Sequence, residues 1–370
     1  MPVDLRGAER TLDAIEGLSR AGLPAHELLT EAARRIDRVV PSDGCFLAAT
    51  DPQTTLCIGA GIVQDLPQEM CQHTWDYEFL VPDYLKFTDI AQSGRAIADL
   101  HEATGGRPDR SARWREYGAA TGFRAEVRTT FTLGGAMWGV GQFDRLGDSP
   151  RFSDEEKAWL ERAAPLIAYG LRQALLAQPA LAPASRGPGL VLLDDAGDVV
   201  SATPEAVAWL DEVDATFTSL TRADVPMPFE AQVYAVRARA ATRANRLGGI
   251  PRARLRTRSG VWLLMHGSLL QGTDQLALII EPAKAADVAP LIVEAYGLTG
   301  RELEVTRLIA RGLGTSQIAA QLILSPHTVR DHVKAVFEKV GVSSRGELVA
   351  KVFADHYAPV PQLDADAPRD

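Results

Sequence analysis

The chain has 370 residues, a formal net charge of −9 at pH 7, 46% hydrophobic and 24% charged residues. That length holds two or three domains of about 100 to 200 residues each, and the composition excludes collagen-like, low-complexity and disulfide-scaffold classes. No apolar run approaches the ~18 residues of a spanning helix, and the opening MPVDLRGAER lacks a signal peptide's basic-then-apolar order, so a cytoplasmic protein with no membrane partner is expected. Cys45, Cys57 and Cys71 are spaced too widely for a Cys-x-x-Cys site. They are expected as buried free thiols, with a redox-sensing role for one of them as the alternative.

From Ala8 to Val40 the apolar residues recur at helical spacing, broken at Gly22-Leu23-Pro24. Gly44 to Ala49 and Leu56 to Gly59 read as a hairpin about Thr50-Asp51-Pro52-Gln53, and Arg124 to Phe131 and Met137 to Phe143 as a second strand pair through Gly134-Gly135. Ser153-Asp154-Glu155-Glu156 is a capping box, which opens a long helix to about Gln178. Helices flanking an antiparallel sheet make an α+β domain. In that order, with Trp138-Gly139-Val140-Gly141 in the last strand, residues 1–178 resemble a GAF sensor domain. The resemblance implies a ligand between the sheet and the middle segment, where Trp75, Tyr77, Phe79, Tyr84, Phe87 and Trp114 are the aromatic candidates for a pocket. The alternative is that these six are ordinary packing.

In the long helix Leu160, Ala164, Ile167, Leu171 and Ala174 repeat at four, three, four and three, a short heptad seam that is expected to pair with a second copy. Pro165 is expected to kink it. Residues 179–188, rich in Ala and Pro, read as a linker. Residues 189–283 then show two strands about Asp194-Asp195-Ala196-Gly197, a helix from Pro204 through Leu210, and strands in Leu255 to Leu270 and Leu276 to Ile280. This second α+β unit resembles a PAS domain. Eight arginines and no acid lie between Arg237 and Arg258, with Arg252, Arg254, Arg256 and Arg258 alternating along one strand face. They read either as a solvated face paired to acids or as an anion site or docking contact.

Residues 284–297 read as a second linker, before an all-α head at 298–358 and a disordered tail at 359–370. In the head, Thr299-Gly300-Arg301-Glu302 is a capping box, and Gly312 with Gly314 ends the helix it starts. A short helix follows through Ile318, Ala319 and Leu322. Ser325 is then an N-cap and Pro326 a first-turn residue. On the third helix Val329, Val333, Val336, Phe337 and Val340 share one face, leaving Thr328, Arg330, Asp331, Lys334 and Glu338 outside. This is a helix-turn-helix whose second helix fits the major groove of double-stranded DNA. Arg330 and Lys334 suit guanine O6 and N7, and Asp331 suits cytosine N4 or the support of Arg330. Ser325, His327 and Thr328 sit where a helix N-terminus favours phosphate.

The run Leu298-Thr299-x-Arg301-Glu302, Ile309-Ala310-x-Gly312-Leu313, Ile318-Ala319, Leu324-Ser325-Pro326-x-Thr328-Val329-x-x-His332-Val333 and Lys339-Val340-Gly341-Val342 resembles the LuxR/NarL-type regulators. The resemblance implies base reading by Arg330, Asp331 and Lys334, and phosphate contacts from Thr328, His327 and Ser325 and from the turn at Thr315 and Ser316. It also places a dimer contact on a fourth helix through Leu348, Val349, Val352 and Phe353, although Leu348 serves equally as cover for the head's own core. Gly300, Thr306 and the turn Gly314-Thr315-Ser316-Gln317 depart from the family pattern in a cap, a core contact and the turn.

Between Leu298 and Ala350 the head has seven bases and five acids, a modest +2. Weak non-specific binding and a homodimer are therefore expected. The chain lacks a Gly-x-x-x-x-Gly-Lys-Ser/Thr loop, His-Glu-x-x-His and Gly-x-Ser-x-Gly, and Gly59-Ala60-Gly61 lacks the third glycine of a dinucleotide fingerprint. The reading is a non-enzymatic, multidomain transcription regulator without cofactor or metal, responding to a small-molecule effector or partner. The alternatives are an adaptor that binds protein with DNA secondary, and an enzyme with an unrecognised site in the sensor half.

Overall fold

The structure is a computed structural model that describes residues 5–66, 68–118, 121–177, 186–243 and 252–354. Helices α1 (Leu5–Arg20) and α2 (Ala25–Asp37) are separated by the break at Gly22, whose φ of 68° needs glycine. Strands β1 (Gly44–Thr50), β2 (Cys57–Gln64), β3 (Ile97–Asp99), β4 (Phe123–Leu133) and β5 (Ala136–Leu146) form an antiparallel sheet in the order β2-β1-β5-β4-β3. Between β2 and β4 lie α3 (Gln68–Phe79), α4 (Phe87–Gln92), α5 (Leu100–Ala103) and a π-type turn at Trp114–Gly118.

The long helix α6 (Asp154–Ala177) opens on the expected capping box, with the Ser153 N–H donating to Glu156 Oε2 at 2.7 Å. It continues through Pro165. Its heptad seam does not face outward. Leu160, Ala164, Ile167, Leu171 and Ala174 are all buried, the first four in a core shared with Leu12, Ile15, Leu28, Ile36 and the near face of the sheet. Residues that recur at 3.5 spacing will bury against any apolar surface within reach, and here α1 and α2 supply it. The expected pairing of this seam with a second copy is thereby corrected.

A second antiparallel sheet, β10-β11-β12-β6-β7, is built from β6 (Gly189–Leu193), β7 (Val199–Ala202), β10 (Ala253–Arg256), β11 (Trp262–Leu269) and β12 (Leu276–Pro282). The helices α7 (Pro204–Glu212) and α8 (Phe229–Arg243) and the hairpin β8 (Thr218–Leu220) and β9 (Pro226–Pro228) complete this unit.

The two α+β units share one core. Phe229, at the start of α8, lies edge-on to Phe46 of β1 at 5.5 Å between centroids and to Trp75 of α3 at 5.9 Å. Gly59 and Gly61 of β2 are pressed against the loop after α7. A Cβ on Gly59, whose φ is 119°, would lie 2.5 Å from the Asp214 carbonyl oxygen, and one on Gly61 would lie 2.1 Å from Thr216 Oγ1. The glycines that failed as a dinucleotide fingerprint thus admit close backbone approach. Arg254 donates to the fully buried Asp51 carboxylate and to Gln53 at 3.0 Å, so the arginine face of β10 docks one unit on the other. Arg256 lies 5.2 Å over Trp262, and Arg258 donates to the Asp211 carbonyl at 2.7 Å. Arg246 lies outside the described residues.

Residues 284–297, expected as a linker, contain a helix, α9 (Ala285–Ala295). Val288, Leu291, Ile292 and Ala295 enter the core of the first unit, while Val293 enters that of the head. Apolar residues on both sides of one helix leave no solvent face for a free linker. The head follows as α10 (Gly300–Ala310), α11 (Thr315–Leu322), α12 (Pro326–Val340) and α13 (Arg345–Val349). The multidomain plan of α+β units and a helical head is therefore present, and the tail at 359–370 lies outside the described residues. Among the described residues no helix is long and apolar enough to cross a membrane.

Candidate nucleic-acid interface

Local chemistry sets the ends of the head's helices. Thr299 and Glu302 close the capping box at α10, with the Thr299 N–H donating to Glu302 Oε2 at 2.7 Å and the Glu302 N–H to Thr299 Oγ1 at 3.3 Å. Burial acts to raise the Glu302 carboxyl, but the Lys339 ammonium at 2.6 Å and the Thr299 donors outweigh it and hold the group below the usual carboxylate range. Lys339 also donates to the Gly297 carbonyl at 3.1 Å, tying the end of α12 to the entry of the head. The polar Thr306 is buried without cost to its hydroxyl, which donates to the Glu302 carbonyl at 2.8 Å.

At the next cap the Gly314 N–H donates to Gln317 Oε1 at 2.8 Å. α11 then ends at Ile323, which is left-handed at φ 56° and 92% exposed. A β-branched residue in that conformation is strained. The Ser325 Oγ accepts from the Thr328 N–H at 3.0 Å and starts α12, and Gly341, at φ 69°, ends it.

Val329, Val336 and Val340 of α12 are buried against Val305, Leu308, Ile309 and Ile318, and Val333 and Phe337 pack at the edge of that core. Among the described residues the opposite side is left exposed. His327, Asp331, Lys334 and Glu338 have side chains 81%, 66%, 80% and 68% exposed, and Arg330 is exposed beside them. The three residues expected to read bases are therefore brought together on one outward face.

Their local partners differ from the expectation. Asp331 pairs with His327 at 3.0 Å instead of holding Arg330, whose Nε donates to the Pro326 carbonyl at 3.3 Å. Lys334 reaches Glu338 only at 3.9 Å. These exposed i,i+4 contacts are worth a few tenths of a kcal/mol, little against a charge-assisted bond to a base.

Among the residues expected at phosphate, Ser325 and Thr328 serve the cap of α12, while Ser316 is exposed in the first turn of α11. Thr315 Oγ1 accepts from Arg345 Nη2 at 2.8 Å, and Arg345 also donates to the Leu313 carbonyl at 2.7 Å. Arg345 was not anticipated as a support of this turn; it is 30 residues away in sequence. On the fourth helix Leu348 and Val352 are buried in the head's own core. Val349 is the half-buried member, and the Phe353 side chain lies outside the described residues.

The aromatic candidates upstream do not converge. Trp75 stacks with Phe79 at 5.6 Å and lies 6.1 Å from Phe87, within the joint sealed by Phe229. Tyr77 donates to Glu116, and burial foremost pushes its phenol up. Tyr84 and Trp114 pack on a satellite cluster of Leu85, Ile90, Leu100 and Phe123.

The far face of the sheet beneath them is filled by ions. Arg113 pairs with Asp83 at 3.0 Å and Glu126 at 2.7 Å, and Arg128 pairs with Glu126 at 2.7 Å. The neighbouring cavity, lined by Trp114, Tyr117, Glu126 and Gln142, is only about 10 Å³, the scale of one water. Cys45 and Cys57 are buried free thiols, and burial pushes Cys45 up to about 12. The side chain of Cys71 lies outside the described residues.

Residues 297–352 match the family described as bacterial regulatory proteins, luxR family. The probable transcriptional regulatory protein NarL of Mycobacterium tuberculosis is 44% identical over 68 residues, 18% of this chain and 29% of that protein. The transcriptional regulatory protein UhpA of Escherichia coli is 45% identical over 56 residues, 15% of this chain and 29% of that protein. The chain thus spans less than a third of the length of these curated relatives. Against the solved GAF domain of a phosphoenolpyruvate-protein phosphotransferase from Coxiella burnetii the TM-score is 0.30 at 17% identity, over 45% of this chain and 92% of that one, which does not establish a common fold. The exposed side of α12 with Arg330 and Lys334, its valine-lined back and the family match converge on one conclusion: residues 297–352 are a DNA-binding helix-turn-helix domain of the luxR family of bacterial regulatory proteins.

Proposed function

We propose that the chain is a sequence-specific transcription regulator of the cytoplasm, acting as a homodimer on double-stranded DNA. One observation carries this reading: Arg330, Asp331 and Lys334 stand exposed on the side of α12 opposite Val329, Val336 and Val340. Arg330 and Lys334 read guanine edges in the major groove, while the first turns of α11 and α12 approach phosphate with Thr315, Ser316, Ser325, His327 and Thr328. The upstream half, GAF-like in its first unit and PAS-like in its second, senses a small molecule or partner.

Among the described residues no part of the upstream half covers the outward side of α12, which supports control by the spacing of two heads over control by masking one. An effector that favours one arrangement shifts how often two heads sit one helical turn apart. Of the six aromatic candidates, Trp75, Phe79 and Phe87 serve an effector pocket only if the Trp75 cluster parts from Phe229, while Tyr77, Tyr84 and Trp114 lie apart from them.

The test is a footprint on the chain's own operator with Arg330→Ala and Lys334→Ala. Each should lower occupancy by about 1 to 3 kcal/mol, roughly 5-fold to more than 100-fold in affinity. Unchanged occupancy refutes the reading.

A further inference from the structure

We propose that a cleft between α1, the end of α2 and the loop joining β5 to α6 binds an organic polyanion, a small molecule with two or three phosphate or carboxylate groups. It deepens the reading of the upstream half as a sensor by naming an effector class and a site away from the aromatic candidates. The cleft measures about 780 Å³, within the range of small-molecule sites.

Five arginines line the cleft: Arg10, Arg35, Arg38, Arg145 and Arg151. Two of them are spoken for, since Arg35 pairs with Glu31 and Arg145 with Glu156 at 2.7 Å. The acids of the lining are engaged as well. Asp43 Oδ2 accepts from the Leu146 N–H at 2.8 Å and Ser149 Oγ at 2.7 Å, and Glu156 accepts from Arg145 and the Ser153 N–H. Arg10, Arg38 and Arg151 remain, exposed and with no ion pair to an acid among the described residues. Three uncompensated guanidinium groups on one cleft of a −9 chain form a local reversal of sign.

The frame that carries them is rigid. Arg145 is buried, lies 4.1 Å over the Phe152 ring, and donates to the carbonyls of Pro41 at 2.8 Å, Pro150 at 3.2 Å and Arg151 at 3.0 Å. It thereby fastens the backbone that carries Arg151 to the segment after α2 that carries Arg38. Trp159 Nε1 donates to the Ala8 carbonyl at 3.0 Å and pins α1, with Arg10, to α6. Planar forks held on fixed backbone suit oxyanion groups and lose little entropy on binding. Val39, Pro41 and Ala14 supply apolar wall for the remainder of the molecule.

The experiment is calorimetric titration of the full chain with ATP, pyrophosphate and citrate, which separates nucleotide, bare phosphate and carboxylate sources. At least one should bind one-to-one, about tenfold more weakly in each of Arg38→Ala and Arg151→Ala, with Arg95→Ala, an exposed arginine elsewhere, unchanged. No binding of any of the three up to about 1 mM overturns the proposal. So does binding that survives Arg38→Ala and Arg151→Ala but is lost in Arg330→Ala with Lys334→Ala. A lower salt slope of duplex binding in Arg38→Ala would assign the cleft to DNA phosphates and overturn it too. The titrations of wild type, Arg38→Ala and Arg151→Ala with the three anions do not depend on whether α12 reads bases, so failure here and failure of DNA recognition remain distinguishable.

Discussion

The chain has two joints of different construction. The one between the two α+β units is a continuous apolar core, with Phe229 against Phe46 and Trp75, glycines 59 and 61 under Asp214 and Thr216, and Arg254 on the buried Asp51. The one between these units and the head is a single helix. α9 gives Val288, Leu291 and Ile292 to one core and Val293 to the other, with Lys339 on the Gly297 carbonyl beside it. The first construction joins the two α+β units through shared apolar packing; the second ties the head to them through one short helix. Among the described residues α9 is the helix that packs into both the first unit's core and the head's.

The sharpest way to break this comparison is Phe229→Ala. Phe229 is fully buried, and its removal should cost about 3 to 5 kcal/mol. Both α+β units should lose stability in one denaturant transition, and a separate transition for the second unit alone would show that the joint is not shared. Next in size is the titration of Glu230, fully buried one residue on and bonded to the Thr216 N–H and hydroxyl. Burial foremost raises its carboxyl from 4.5 to about 7.

Because the folded-state value lies above the unfolded one, the folded state is favoured most below pH 4.5, and that advantage is lost as pH rises through about 7. The difference amounts to about 3 kcal/mol. Glu230→Gln should flatten this part of the stability-versus-pH curve, and a curve of unchanged slope would count against it. Val293→Ala sharpens the other side of the comparison. It should cost the head about 1 to 2 kcal/mol while leaving the sensor transition in place, as hydrogen exchange of α10 and α12 would report. Smallest is Ile323→Asn, which relieves a left-handed β-branched residue and should raise the head's melting temperature by the equivalent of up to about 1 kcal/mol.

These two joints also divide what could be read from residues alone. The head was legible because its signals are local: Thr299 with Glu302, Ser325 before Pro326, and Gly312 each settle a helix end within a turn. Its paired side chains were less so, since Asp331 had Arg330 and His327 both within reach and only geometry selects His327. The seam on α6 was legible as an apolar stripe, but spacing does not say whether α1 and α2 or another chain covers it.

Of the joint between the two units only the arginine run of β10 was legible, as a possible docking contact, and its partner Asp51 was not. Gly59-Ala60-Gly61 meets residues about 155 positions later, and Phe229 meets Phe46 across a still longer stretch, contacts that no periodicity encodes. α9 was missed for a nearer reason. Its apolar residues lie on two sides and leave only the narrow stripe of Asp287 and Glu294, too little polar contrast for a helix to be recognised.

The central claim, that one side of α12 reads sequence, is tested most directly by selecting sites from a randomised duplex pool with the wild-type chain and with Lys334→Ala. The account predicts that the variant still recovers DNA, but loses its preference at the base pair that Lys334 contacts and falls about 5-fold or more in affinity for the wild-type site. Recovery of the same site with the same affinity would contradict it.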